Sequence, residues 1–197
     1  MIVSATILAA GNSSRMGAEN KLLLPIDGIP MICQVVNTVL KSKLFPIHLV
    51  TGFDRNKILE ALSNLSINEI YNPNWSDGMA SSIYSAVSSL PKNADGIMIV
   101  LGDMPNIRSK TLNQLCDEFV NFDGDRIIYP LYNGRQANPV IFPQKYFMKI
   151  LSSTGHRGCK KLLKQYPEDA VGIPIASDEV ILDCDTKDDY FQFKSGC

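Results

Sequence analysis

The stretch LAAGNSSRMGAENK, residues 8–21, leaves the apolar run Ile2–Leu8 and gathers two glycines, small polar residues, one arginine and one lysine into a single loop. Small residues let backbone N–H groups approach phosphate oxygens. Arg15 adds a forked donor and Lys21 a mobile point charge. Such a loop suits a phosphate, although a solvated turn between a strand and a helix has the same composition. It is neither common phosphate loop. Five residues separate Gly11 from Gly17 and no Gly-Lys pair follows, which rules out a Walker A loop; GNSSRMG also lacks the G-x-G-x-x-G spacing of a dinucleotide fingerprint.

Two further segments carry carboxylates. IMIVLGDMPNI sets Asp103 just past the apolar run 97–101, with Gly102 permitting a sharp exit and Pro105 stopping the strand. At that edge of an open α/β sheet lies the ligand crevice. Mg²⁺ takes one or two carboxylates together with substrate phosphates, so Asp103 is a candidate ligand. A turn or cap role is the plain alternative. ILDCDTKDDYF holds Asp183, Asp185, Asp188 and Asp189. In an extended segment Asp183 and Asp185 point the same way. One of the two completes the metal site, and the other caps a helix beginning near Thr186. An acidic helix start explains the same residues. In NPNWSDGMASSI, which begins at Asn72, the residues Gly78, Ser81 and Ser82 offer N–H and hydroxyl groups to a base or ribose from a helix N-terminus. Ordinary exposed helix surface is the alternative there.

Short apolar runs alternating with helical patterns must position these groups. Strands are expected at Val3–Leu8, Ile47–Thr51, Ile67–Tyr71, Gly96–Leu101, Arg126–Tyr129, Val140–Phe142 and Val171–Pro174. Helices are expected at Pro30–Lys41, Arg55–Ser63, Gly78–Ser89, Ser109–Val120, Gln144–Ser152, Arg157–Gln165 and Lys187–Phe193. Asp54 and Ser109 read as N-caps. Leu112, Leu115, Cys116 and Phe119 recur at spacings of three and four, giving one apolar face. The unbroken run Ile97–Leu101 reads as a central strand covered on both faces. This alternation predicts right-handed βαβ units in a three-layer α/β/α fold with a mostly parallel sheet. Residues 1–197 are expected to form one domain, with the part after about residue 125 completing one side of a cleft.

Composition excludes several classes. The 197 residues are 45% hydrophobic with a formal net charge of −1, enough for one sizeable core and too little basic charge for a nucleic-acid surface. Five cysteines without a C-x-x-C pair argue against a zinc site or a disulfide framework and for reduced thiols in a cytoplasmic protein. No signal-peptide pattern and no membrane span is expected. His48, on the expected strand Ile47–Thr51, reads as structural.

The motifs LAAGNSSRMGAENK, NPNWSDGMASSI, VLGDMP, GRQANPVIF and DCDTKDDY resemble, in order and over nearly the whole chain, the nucleotidyltransferases of GT-A-like (Rossmann-like, nucleotide-diphospho-sugar transferase) fold, and within them the molybdenum cofactor cytidylyltransferase (MobA/MocA-type) family. The resemblance implies transfer of CMP from CTP to the phosphate of molybdopterin with Mg²⁺, releasing pyrophosphate. It implies that Leu8, Ala9, Ala10, Gly11, Ser13, Ser14, Arg15 and Gly17 cradle the nucleotide, with Asn72, Gly78, Ser81, Ser82 and Gly102 beside it. Arg15 would hold the β/γ-phosphates, Lys21 would sit at the α-phosphate, and Asp103 and Asp185 would bind Mg²⁺. Ala9-Ala10-Gly11 resembles the CTP-using members, whose guanylyl counterparts carry LAGG. Trp75, the one tryptophan, is either a core aromatic or a lid over a pterin ring.

On the acceptor side Arg135, Asn138, Pro139, His156 and Arg157 are candidate contacts. Two departures stand there: Ala137 replaces the family's second glycine and His156 its acidic residue, so His156 meets a phosphate or pterin carbonyl or is a surface histidine. Cysteines read as buried small residues or incidental thiols, with Cys159 or Cys184 touching molybdenum as the alternative. A phosphate monoester loses its second proton near pH 6, so the nucleophile needs no general base. Partners implied are the nucleotide, molybdopterin and a recipient molybdoenzyme. Rival readings are a same-fold transferase using GTP or another phosphorylated acceptor, and a non-catalytic maturation chaperone.

Overall fold

The structure, a computed structural model, describes residues 1–13, 19–152 and 160–194. Its centre is an eight-stranded sheet in the order β10-β7-β9-β6-β1-β4-β5, with β8 paired to β7. The strands are β1 (Val3–Ala9), β4 (Ile47–Thr51), β5 (Asn68–Tyr71), β6 (Gly96–Leu101), β7 (Ile127–Tyr132), β8 (Arg135–Gln136), β9 (Val140–Pro143) and β10 (Ala170–Pro174). A two-stranded ribbon, β2 (Pro25–Ile26) with β3 (Ile29–Pro30), stands apart. Pairs β1–β4, β1–β6, β4–β5 and β7–β10 are parallel, and β9 runs antiparallel to both β6 and β7.

Helices cover both faces. α1 (Met31–Leu40), α2 (Arg55–Ala61) and α4 (Ser109–Asn121) bury Met31, Val35, Ile58, Leu112 and Phe119 in one cluster. α3 (Met79–Ser88), α5 (Phe147–Ser152) and α6 (Lys160–Gln165) pack Ile83, Ala86, Ile150 and Leu163 in the other. β6 shows why its sequence lacks alternation: Met98 and Val100 enter the first cluster, Ile97 and Ile99 the second. Burying each such side chain contributes about 1.5–3 kcal/mol. α7 (Lys187–Lys194) closes the described chain.

Some local expectations are corrected. Asp54 is left-handed (φ 53°) and accepts no capping bond; its carboxylate pairs with Lys57 instead. Ser109 is the first helical residue of α4, behind an Arg108 that makes no side-chain cap. β7 runs past Tyr129 to Tyr132, because its ladder to β10 continues through Pro130, whose carbonyl accepts from Ala137 N–H at 3.0 Å. The helix expected from Arg157 is described only from Lys160, since 157–159 lie outside the described residues.

The chain passes from β1 to β4 and β5 on one side, then returns to place β6 on the other side of β1. This is the topological switch point, where open α/β sheets bind ligands beyond the strand carboxyl ends.

Candidate active site

β1 and β6 end in register, Leu8 opposite Leu101. Gly102 N–H then donates to Leu8 O at 3.0 Å, and a Cβ on Gly102 would lie 2.7 Å from that oxygen. Glycine is therefore what lets the two strand ends diverge so closely and turn Asp103 into the crevice.

Lys21 begins a 3₁₀ turn, Lys21–Leu23, whose N–H groups are organised by side chains. Asn20 Oδ1 accepts from Leu22 N–H at 3.1 Å, and Ser13 Oγ accepts from Lys21 N–H at 3.1 Å. The lysine ammonium lies 2.6 Å from Asp103 Oδ2 and 2.9 Å from Asp185 Oδ1. Its side chain and that of Asp103 are 14% and 16% exposed. Burial alone would lower the Lys21 pKa, but the charge of Asp103 and the hydrogen bonds to Asp103 and Asp185 outweigh it and hold the ammonium above its ordinary range. Asp103 Oδ1 is buried without a hydrogen-bond partner.

Asp185 reaches this point because Cys184 N–H donates to Asp103 O at 2.9 Å, stitching the two segments together. Asp183 lies near the same charges: partial burial, then the negative fields of Asp103 and Asp185, push its carboxyl up. Neither Asp183 nor Asp185 caps α7. That role belongs to Thr186, whose Oγ1 accepts from Asp189 N–H at 3.2 Å, while Asp189 Oδ2 reaches back to accept from Thr186 N–H at 2.7 Å and Asp185 N–H at 3.0 Å. Cys184 is fully buried in the core and burial pushes its thiol up to about 11, so it packs as a small apolar residue. Cys33 and Cys116 are buried free thiols too, while Cys159 lies outside the described residues. His48 is buried with Nδ1 3.2 Å from Ser4 Oγ, and burial lowers its pKa.

A cavity of about 330 Å³ opens over this charge pair, within the usual range of small-molecule sites. Its lining comes from the end of β1 and the residues after it (Leu8, Ala10, Gly11 and Ser13), from the end of β6 (Leu101, Gly102 and Asp103), and from Lys21, Leu22 and Asp185. Trp75, Gly78 and Ser82, at and before the start of α3, line it too. Trp75 borders the cavity and packs tilted on Phe53, ring centroids 5.3 Å apart. Gly52 makes that packing possible, since a Cβ there would lie 2.5 Å from Trp75 Cβ and 2.9 Å from Ala10 Cβ. Gly52→Ala is expected to displace Trp75, cost about 1–3 kcal/mol of stability as overpacking does, and raise the nucleotide KM. Thermal unfolding and initial rates check both.

Other sequence candidates stand elsewhere. Asn72 is buried and braces the start of α3: its Nδ2 donates to Ser81 Oγ at 2.9 Å and to Ser82 Oγ at 3.1 Å. Ser81 Oγ turns to Asn74 O and Gly78 O, so it does not border the cavity. Ala9 is buried beneath the loop. Arg135, Asn138 and Pro139 do not border the cavity either; Asn138 N–H donates to Val180 O at 3.1 Å, and Asn138–Pro139 is a cis peptide. Ser14, Arg15, Gly17, His156 and Arg157 lie outside the described residues. Asn12, Ser76 and Met79 border the cavity without having been singled out by spacing. Their sequence signal is their place in the two motifs: Asn12 follows Gly11, Ser76 follows Trp75 and Met79 follows Gly78.

The model of the MobA-like NTP transferase domain matches residues 5–171. The chain belongs to this family. It is 29% identical over 196 residues to the molybdenum cofactor cytidylyltransferase of Escherichia coli (strain K12), covering 98% of this chain and 95% of that one. In fold it resembles Rv0371c from Mycobacterium tuberculosis H37Rv, with a TM-score of 0.87, 22% identity, and coverage of 100% of this chain and 98% of that chain. It resembles equally the complex of Rv0371c with manganese, with a TM-score of 0.84, 20% identity and all of both chains covered. As a MobA-like NTP transferase the chain is a nucleotidyltransferase with a mostly parallel, helix-flanked sheet. Among the described residues no helix is long and apolar enough to cross a membrane.

Proposed function

We propose that this chain transfers CMP from CTP to the phosphate of molybdopterin, releasing pyrophosphate and forming molybdopterin cytosine dinucleotide. The observation that carries the reading is the Lys21 ammonium held between Asp103 and Asp185 at the β1–β6 switch point. Agreement with the cytidylyltransferase relative over 98% of the chain supports the nucleotide and the acceptor.

In the transfer, an oxygen of the acceptor phosphate forms a bond to the α-phosphorus. The bond from that phosphorus to the oxygen bridging the α- and β-phosphates breaks, and the electron pair leaves with pyrophosphate. Such chemistry is mostly positioning and charge stabilisation. Gly11 and Ser13 line the wall for the phosphates, with Arg15 assigned to the β- and γ-groups. Lys21 would turn its ammonium to the α-phosphate and offset charge developing there. Trp75 and Ser82 border the same cavity and are assigned to the base and ribose.

The donor set fits a divalent cation: two carboxylates already converge on one positive centre, and Asp103 Oδ1 is buried and unpaired. Asp103 and Asp185 would hold Mg²⁺, which supplies neutralisation of the triphosphate charge when bound. The acceptor is assigned to the side of Arg135, Asn138 and Pro139, with His156 and Arg157. A cytoplasmic location and onward delivery to a molybdoenzyme belong to the same reading.

Purified protein incubated with each of the four NTPs, Mg²⁺ and molybdopterin should give the cytosine dinucleotide mass with CTP alone. A guanine product would reassign the nucleotide. Molybdopterin binding with no pyrophosphate release would favour the chaperone.

A further inference from the structure

We propose that Glu179 is a positioning residue that sets Asp185 against Asp103. The inference rests on the metal-dependent transfer proposed above. Glu179 is only 2% exposed and lies in the 3₁₀ turn Asp178–Val180. A carboxylate so deeply placed is costly unless paired and hydrogen-bonded, and this one is held on both oxygens. Thr111 Oγ1 donates to Oε1 at 2.5 Å. Arg108 Nε lies 2.9 Å from Oε2, and Ser177 Oγ donates to the same oxygen at 3.2 Å.

Those partners come from two segments that meet at the site. Arg108 and Thr111 open α4, shortly after Asp103 on the same stretch of chain. Ser177 and Glu179 open the stretch that ends in Asp183, Cys184 and Asp185. Cys184 N–H donates across them to Asp103 O at 2.9 Å, while Val180 O accepts from Asn138 N–H, just before β9, at 3.1 Å. The segment bearing Asp185 is thus fastened to the segment bearing Asp103 at two points, one of which is Glu179. A side chain needed only to fill space would be apolar here, because a buried ion pair rarely beats hydrophobic packing in stability. What the carboxylate adds is direction: three donors on fixed elements orient it, so the loop beyond it enters the crevice in one register.

Glu179→Ala should raise the Mg²⁺ concentration for half-maximal pyrophosphate release about tenfold, leaving the nucleotide KM within about twofold. Glu179→Gln, which keeps an acceptor for Thr111, should recover most of that loss. The readout independent of turnover is Mn²⁺ binding, followed by the electron-spin resonance of the free ion in the presence of α,β-methylene CTP, which resists cleavage between its first two phosphates. Mn²⁺ affinity should fall by the same factor in Glu179→Ala. If Glu179→Ala does not fold, Arg108→Gln serves, because the Arg108 side chain is 72% exposed; a shift of about threefold in the same direction is expected. A folded variant that is less stable but has wild-type metal constants overturns the inference. Asp103→Ala run in parallel separates the two levels: if it leaves pyrophosphate release intact, or if wild-type protein binds no Mn²⁺ with the analogue, the proposed function itself fails.

Discussion

Asp103→Ala is expected to abolish metal-dependent pyrophosphate release, a fall of about 10³-fold or more, in a protein that still unfolds cooperatively. Three features make this the largest single effect. Asp103 follows β6, the strand buried on both faces, so its backbone is set by the core and persists in the variant. Its Oδ1 is buried and has no partner, so that oxygen contributes nothing to the resting fold. Its Oδ2 is one of the two carboxylate oxygens that hold the Lys21 ammonium, so the variant loses the metal candidate and the anchor of the lysine together. Circular dichroism and thermal melting establish the fold, and a coupled pyrophosphate assay across a Mg²⁺ titration gives the rate. Activity restored merely by raising Mg²⁺ would mean that Asp103 only helps to recruit the ion. Activity unchanged at ordinary Mg²⁺ would remove the carboxylate pair from the chemistry.

Much of this was legible in the sequence, and the reason differs from residue to residue. Ile97–Leu101 announces a central strand because both its faces are covered, and only apolar residues tolerate that. Lys21 and Asp103 are visible because each follows a strand at a glycine-bearing turn, the place where α/β sheets bind ligands. Their meeting at 2.6 Å is not visible, since it needs the order of β6 beside β1. Glu179 is less legible still: nothing local marks an isolated glutamate in IASDEV, and its burial depends on Arg108 and Thr111 arriving from the far end of another loop. Gly52 is of the same kind, ordinary until Trp75 packs across it. The misread caps have a local cause. Asp54 and Ser109 are types that favour N-caps, but Asp54 sits in a left-handed turn that turns its side chain to Lys57. Propensity names the residue type, whereas the backbone arriving from the preceding strand decides whether the side chain reaches the helix.

Lys21→Met should change two quantities in opposite directions. Methionine keeps an apolar stem of similar length and removes the charge. At saturating nucleotide, turnover should fall about 10²–10³-fold, as when one charge-stabilising donor is removed, while the nucleotide KM rises only several-fold, because the glycine-bearing wall at Gly11 and Ser13 remains. Metal binding to the nucleotide-free protein should move the other way. In the resting chain the ammonium stands 2.6 Å from Asp103 and 2.9 Å from Asp185, which is to say that it fills the position between the two carboxylates that an added cation would take. Removing the ammonium takes one counter-charge from two carboxylates that repel each other, and either a proton or a metal relieves that repulsion. Mn²⁺ should therefore bind nucleotide-free Lys21→Met about tenfold or more tightly than wild type, even as the variant turns over slowly. A structural lysine would lower both quantities together through lost stability, and a lysine serving only to grip phosphate would leave metal affinity unmoved. Only a side chain that neutralises the carboxylate pair at rest and the α-phosphate during transfer gives a tighter metal site on a slower enzyme.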